Sequence, residues 1–166
     1  AYACLANGGE HRDPVAITKI EDRNGNTVYE HKDSPTRVLD EGVAKAATEV
    51  LEGVVTNGTA SAMNSMLTIN QPVAGKTGTS NDENDAWFVG FSPSLVTGVY
   101  VGFDQLQSLG KQEQGGRTAA PIFRYYRSQI EDLYNDQPQD FTMPPGITMQ
   151  DGLAFQGVPG PGLSAI

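Results

Sequence analysis

The chain has 166 residues, 38% hydrophobic and 8% aromatic, with 20 acidic against 11 basic side chains and a net charge of -9. That length and apolar content exclude a disordered polypeptide and supply one domain with a core of its own, and no apolar run reaches the ~18 to 20 residues that span a bilayer. The acidic balance repels phosphate backbones, so nucleic acid is not an expected partner, and the single cysteine, Cys4, rules out an internal disulfide.

In chain order, the opening string Tyr-Ala-Cys-Leu-Ala-Asn-Gly-Gly at 2–9 reads as the last turns of a helix with an Asn-Gly-Gly stop, as though the helix were cut. Cys4 then reads as a small buried helix residue. Residues 15–20 and 27–29 read as two strands of a hairpin around turn chemistry at 22–26. From Asp40, the positions Val43, Ala47, Val50, Leu51, Val54 and Val55 recur at helical spacing, with Lys45, Glu49 and Glu52 on other faces, to a stop at Asn57-Gly58. Residues 60–66 are small enough for a helical turn or two.

Strand signals then take over. Residues 71–79, 86–91 and 95–103 are strand-like, the last two joined by Ser92-Pro93-Ser94, and together they predict an antiparallel meander. Thr118 is a plausible helix cap, Pro121 fits a first turn, and Ile122, Tyr126, Ile130 and Leu133 predict a closing helix packed on the meander. From about 136 onward the chain is rich in Pro, Gly and Gln, including Pro144-Pro145-Gly146, and reads as an extended tail without a core.

The chemistry concentrates at Lys76-Thr77-Gly78. A glycine there lets a ligand approach the backbone of an edge strand, and a peptide could add to that edge as a further strand. Lys76 offers a cation, and Thr77 and Thr79 offer hydroxyls, for a substrate carboxylate. Taken alone, the tripeptide equally describes a solvated lysine on a strand edge with threonines kept for their β propensity. One Ser-x-x-Lys occurs, at Ser108 and Lys111, but in a Gly/Gln-rich loop where the two side chains would not share a helix face; Ser108 reads as an ordinary loop serine. No Ser-x-Asn is present. His11 and His31 sit in polar surroundings and read as surface residues, and neither a metal nor a cofactor is called for.

Longer strings decide between those alternatives. Gly-Lys-Thr-Gly-Thr-Ser-Asn-Asp at 75–82, Asp-Ala-Trp-Phe-Val-Gly-Phe at 85–91 and Gly-Gly-Arg-Thr-Ala-Ala-Pro-Ile-Phe at 115–123 resemble the transpeptidase domain of the class A, bifunctional penicillin-binding proteins. The strings at 2–9, 19–25 and 51–59 resemble the same family in the same order, so the likeness covers roughly 1–150. It implies an α+β fold, an antiparallel sheet packed with helices as in serine β-lactamases. The expected organisation is the C-terminal portion of that domain over 1–135 and a tail over 136–166.

The resemblance also implies a mechanism. A serine attacks the carbonyl between the two terminal D-alanines of a peptidoglycan stem peptide, releases the last one, and holds an acyl-enzyme until a neighbouring amine resolves it. Lys76 would tune the serine site, Thr77, Gly78 and Thr79 would bind the terminal carboxylate, and the Thr79 N–H would be one oxyanion donor. β-Lactams would occupy the same place. The nucleophile would come from an upstream half of the protein, possibly as a separate chain, located in the cell envelope outside the cytoplasmic membrane and tied to it through an anchor not in this sequence. Trp87 and Phe88 are explained by core packing, and Asp85 would orient the strand or turn. The alternatives are a piece of a D,D-carboxypeptidase or serine β-lactamase, which pass the acyl group to water, or a β-lactam-binding module without turnover.

Overall fold

The computed structural model describes residues 1–64, 67, 69–134, 140, 141, 147–150 and 153–156. The chain begins with helix α1 (Tyr2–Ala6), whose Cys4 is buried, followed by β1 (Glu10–His11), β2 (Lys19–Glu21), β3 (Thr27–Glu30) and β4 (Thr36–Arg37). The expected hairpin is present as the β2–β3 ribbon, with its first strand a few residues later than 15–20. Its turn is held by Asp22, whose carboxylate accepts from the Asn24 and Asn26 N–H groups and the Asn26 side chain; the Asn26 side-chain bond above all holds the Asp22 carboxyl below its ordinary range. Both strands are exposed along their length. His11 is exposed beside Asp13, and His31 is half-buried.

Helix α2 (Glu41–Thr56) starts on Asp40, which accepts from the Gly42 N–H at 2.8 Å, and stops at Asn57 as expected. Its inward face follows the marked valines at Val54 and Val55 and departs from them elsewhere. Val43 and Val50 are exposed, while Ala44, Lys45, Thr48 and Val55 are buried. The small residues allow close packing, and Lys45 goes in because its ammonium pairs with Glu49 at 2.5 Å and lies 5.8 Å from the Phe141 ring centroid. A short α3 (Ser61–Asn64) follows and fits the turn expected there; residues 65 and 66 lie outside the described set.

The centre is a three-stranded antiparallel sheet ordered β5 (Ala74–Thr79), β6 (Asp85–Phe91), β7 (Val96–Gly102), the expected meander. Its register pairs Thr77 with Phe88 and Phe88 with Val99. Residues directly opposite share a face and alternate along a strand. One face therefore carries Thr77, Thr79, Ala86, Phe88 and Val99; the other carries Lys76, Gly78, Trp87 and Tyr100.

Helix α4 (Ala120–Ile130) closes over the first face, preceded by a π-helical turn, Gly115–Ala119, with Pro121 in its first turn. The stripe expected to face inward does not: Ile122, Tyr126 and Leu133 are exposed, and Ala119, Ala120, Phe123 and Arg127 are buried. Phe123 meets Phe88 edge-on at 5.0 Å between centroids. Around that pair gather Val55, Ala60, Met63 and Val73, each buried large side chain contributing about 1.5–3 kcal/mol. Arg127 is fully buried, its Nη2 within reach of Gln71 Oε1, Ser92 Oγ and Glu131 Oε2, so the guanidinium ties α4 to both ends of the β5–β6 hairpin. Thr118 is not the cap; its hydroxyl donates to Glu113 at 2.5 Å.

At the far end of the sheet, Ala74 and Phe91 form a second cluster with Tyr2, Leu5, Leu51, Val96 and Phe141. Phe141 corrects the expectation of a coreless tail, because its ring packs on Phe91 at 5.7 Å and is buried. β8 (Ile147–Gln150) and β9 (Leu153–Gln156) then form an antiparallel ribbon, with β9 beside α2. The Pro-Pro-Gly at 144–146 and the residues after 156 lie outside the described set.

Candidate active site

Among the described residues β5 is an edge strand, bonded to β6 on one side. At the hairpin end the Ser80 N–H donates to Asp85 O at 3.1 Å and the Asp85 N–H to Ser80 Oγ at 2.7 Å. Antiparallel ladders alternate, so the inward pairing at Ser80 leaves the main-chain N–H and C=O groups of Thr79 and Thr77 on the free edge. Lys76 Nζ donates to Thr77 O at 2.7 Å, which brings its ammonium to that edge. A ligand laid along β5 would meet backbone donors and acceptors that the sheet does not use, with a cation alongside.

The two threonine hydroxyls are fixed on one side of the strand. Thr77 Oγ1 shares a 2.7 Å hydrogen bond with Thr59 Oγ1, and Thr79 Oγ1 accepts from the Gly115 N–H at 3.1 Å. The second contact needs a glycine: a Cβ at Gly115 would lie 2.2 Å from Trp87 O and 2.6 Å from Gly78 O, and one at Gly116 would lie 2.1 Å from Thr59 O. The Gly-Gly pair thus lets the turn before α4 lie directly on the sheet.

Between that turn and α3 opens a cleft of about 500 Å³, lined by Thr59, Met63, Thr77, Thr79, Gln114, Arg117, Pro121 and Arg124 among others. Lys76 belongs to the opposite face of β5 and does not line it. The structure thus gathers Thr77 and Thr79 in one cleft, with Gly78 between them, and sets Lys76 at the strand edge on the other face. Thr59, Arg117 and Arg124 were not marked by the sequence as site residues, since nothing local connects them to residues 77–79.

The other face is open at this end. The rings of Trp87 and Tyr100 meet at 4.8 Å between centroids, tilted by 50°, and the residues are 45% and 49% exposed, so Trp87 is not the core residue expected of it, whereas Phe88 is. Strand alternation explains the split. Asp85 accepts from the Tyr100 hydroxyl at 2.8 Å, and this bond holds that hydroxyl's pKa above its ordinary value. Asp85 thereby fixes both the hairpin end and the tyrosine on β7. Ser108 stands in irregular chain, accepting from the Gly110 N–H at 3.2 Å, with Lys111 in a turn.

An antiparallel sheet covered by its closing helix, with Gly-Lys-Thr-Gly-Thr along the edge strand, defines the fold class shared by penicillin-binding and serine β-lactamase-like domains. Residues 1–126 match the penicillin binding protein transpeptidase domain family. Over 145 residues the chain is 41% identical to penicillin-binding protein 1A of Aquifex aeolicus, covering 87% of this chain and 19% of that protein. It is 35% identical to penicillin-binding protein 1A of Neisseria gonorrhoeae, covering 92% of this chain and 19% of that protein. The crystal structure of penicillin-binding protein 1A from Haemophilus influenzae superposes with a TM-score of 0.77 at 25% identity, over 99% of this chain and 30% of that one. An imipenem acyl-enzyme complex of penicillin-binding protein A from M. tuberculosis superposes at 0.57, with 25% identity over 74% of this chain and 28% of that one. The chain belongs to the penicillin-binding protein transpeptidase domain family and is a piece of the class A kind. It spans about a fifth of the length of the curated relatives it matches.

Proposed function

We propose that this chain forms the Lys-Thr-Gly wall of a D,D-transpeptidase that cross-links peptidoglycan stem peptides through a serine acyl-enzyme and is the target of β-lactams. The observation that carries this reading is the free edge of β5, where Thr77 and Thr79 present backbone groups outward and hydroxyls to one cleft. The stem peptide lies along β5 as an added strand, its terminal D-Ala carboxylate taken by the hydroxyls of Thr77 and Thr79 over Gly78. The Thr79 N–H points to the edge and receives the oxyanion of the attacked carbonyl, a contact of the kind worth ~2.7–4 kcal/mol of transition-state stabilisation. Lys76, its ammonium at the same edge, stabilises negative charge that develops as the serine is acylated.

The serine comes from the part of the domain that the longer relatives have before this region, which makes that part the chain's partner. Ser108 stays a loop residue. No metal or cofactor enters these steps. The reaction is placed at the outer face of the cytoplasmic membrane, where stem peptides are joined; among the described residues no helix is long and apolar enough to cross a membrane.

A fluorescent penicillin tests this, applied to the chain alone and to the chain combined with the preceding part of the domain. Label that forms only in the combination, lies on the preceding part and falls at least tenfold in rate with Lys76→Ala supports the proposal. Label on this chain alone would make Ser108 the nucleophile, and no label in either sample would leave a module without turnover.

A further inference from the structure

The charges facing the threonine cleft are not those the Lys-Thr-Gly string advertises. Lys76 is on the opposite face of β5, engaged with Thr77 O. Among the described residues, the cations that line the cleft are Arg117 and Arg124, and no carboxylate lines it, although the chain as a whole carries -9. Arg117 is exposed and shares its Nη1 with Gln112 Oε1 at 2.8 Å. Arg124 is half-buried on α4 and has no hydrogen bond or ion pair among the described residues. The nearest acid in sequence to this turn, Glu113, is occupied by the Thr118 hydroxyl. Arg124, partly buried as a residue and without an anion among the described residues, shares the cleft with three threonine hydroxyls, a donor set suited to an anionic ligand.

From this we infer that Arg124 is a specificity-determining residue of the cleft, binding a peptide carboxylate jointly with Thr77 and Thr79. The inference rests on the function proposed above and adds the source of positive charge: the guanidinium fork of Arg124 meets the carboxylate from the helix side, while the hydroxyls meet it from the strand. Arg117, exposed and shared with Gln112, adds long-range attraction and little contact energy. Lys76, whose ammonium reaches the free edge of β5, serves the reacting centre there.

The test titrates the isotopically labelled chain with N-acetyl-D-alanyl-D-alanine and with its C-terminal amide, followed by amide chemical shifts. The acid should perturb Thr59, Thr77, Thr79 and Arg124, and the amide should bind at least tenfold more weakly. Arg124→Gln should weaken the acid at least tenfold and leave the amide unchanged, Arg124→Lys should recover part of the loss, and Arg117→Gln should cost about threefold or less. Unaltered spectra away from the cleft verify the fold of each variant. The inference is overturned if the acid does not bind, if acid and amide bind alike, or if Lys76→Gln weakens the acid more than Arg124→Gln. Penicillin labelling judges the proposed function separately: label without Arg124-dependent carboxylate binding overturns this inference alone, and carboxylate binding without label overturns the transpeptidase reading alone.

Discussion

The two faces of the β5–β7 sheet are made by the same strands yet finished to different degrees. On one, Phe88 is fully buried against Phe123, and the Gly115–Gly116 turn lies on the sheet so that Thr77 and Thr79 are held by fixed partners. On the other, the next residue along, Trp87, is 45% exposed with Tyr100 as its neighbour, beside Gly78 and Lys76. The contrast teaches that the wall carrying residues 76–79 is built by packing from one side only. The closed face sets the position of the threonines, and the open face leaves the lysine, tryptophan and tyrosine available to whatever completes the site.

The largest expected effect compares adjacent residues. Phe88→Ala should destabilise the chain by about 3–5 kcal/mol, and Trp87→Ala by about 1 kcal/mol from the lost ring contact. Urea unfolding measures both; equal losses would mean that the second face is packed after all. Next, Gly115→Ala should cost about 1–3 kcal/mol, because its Cβ would meet the Trp87 and Gly78 carbonyls, and should lower the melting temperature without altering Trp87 exposure to a quencher. Thr59→Val should cost about 1 kcal/mol and loosen Thr77, seen as faster amide exchange in β5 while β7 is unchanged.

The smallest effect concerns the covered end of the open face. Burial, together with the neighbouring Glu49, raises the Glu52 carboxyl from its ordinary 4.5 to about 7, against the opposing pull of Lys45 and with a minor push from Asp140. The folded state therefore holds a proton that the unfolded state releases. The stability linked to Glu52 is present in full below about pH 4.5 and is lost as pH rises through about 7. Because Glu52 is only half-buried, the swing is about 1 kcal/mol or less. Glu52→Gln should raise the melting temperature by a few degrees at pH 8 and change it little at pH 4.5, as thermal melts at the two pH values would show.

Strands and helix limits were legible where local chemistry is strong: the meander with its Ser-Pro-Ser turn, the helix start near Asp40, and the Asn-Gly stop. Helix faces were not. Val43 and Val50 of α2 and the Ile122–Tyr126 stripe of α4 look like core but are exposed. The packed faces set the small residues Ala44 and Thr48 with Val55, and Ala119 and Ala120 with Phe123, and the small residues permit close approach. Lys45 pairs with Glu49 one turn on and lies against the Phe141 ring, Arg127 is met by Gln71 and Ser92 as well as Glu131, and Phe141 packs on Phe91; of these partners Phe141, Gln71, Ser92 and Phe91 are distant in sequence. The same limit applies at the site. Residues 75–79 announce themselves as a string, whereas Thr59 and Arg124 reach the cleft through tertiary folding and carry no local mark.

The most direct test of the account is a crystal structure of this chain, combined with the preceding part of the domain, after reaction with benzylpenicillin. The account predicts the acyl carbonyl oxygen within hydrogen-bonding distance of the Thr79 N–H, and the penicillin carboxylate on the Thr77 and Thr79 hydroxyls at the closed face. An acyl group on Ser108, or a carboxylate seated against Trp87 and Tyr100 with the threonine hydroxyls unoccupied, would contradict it.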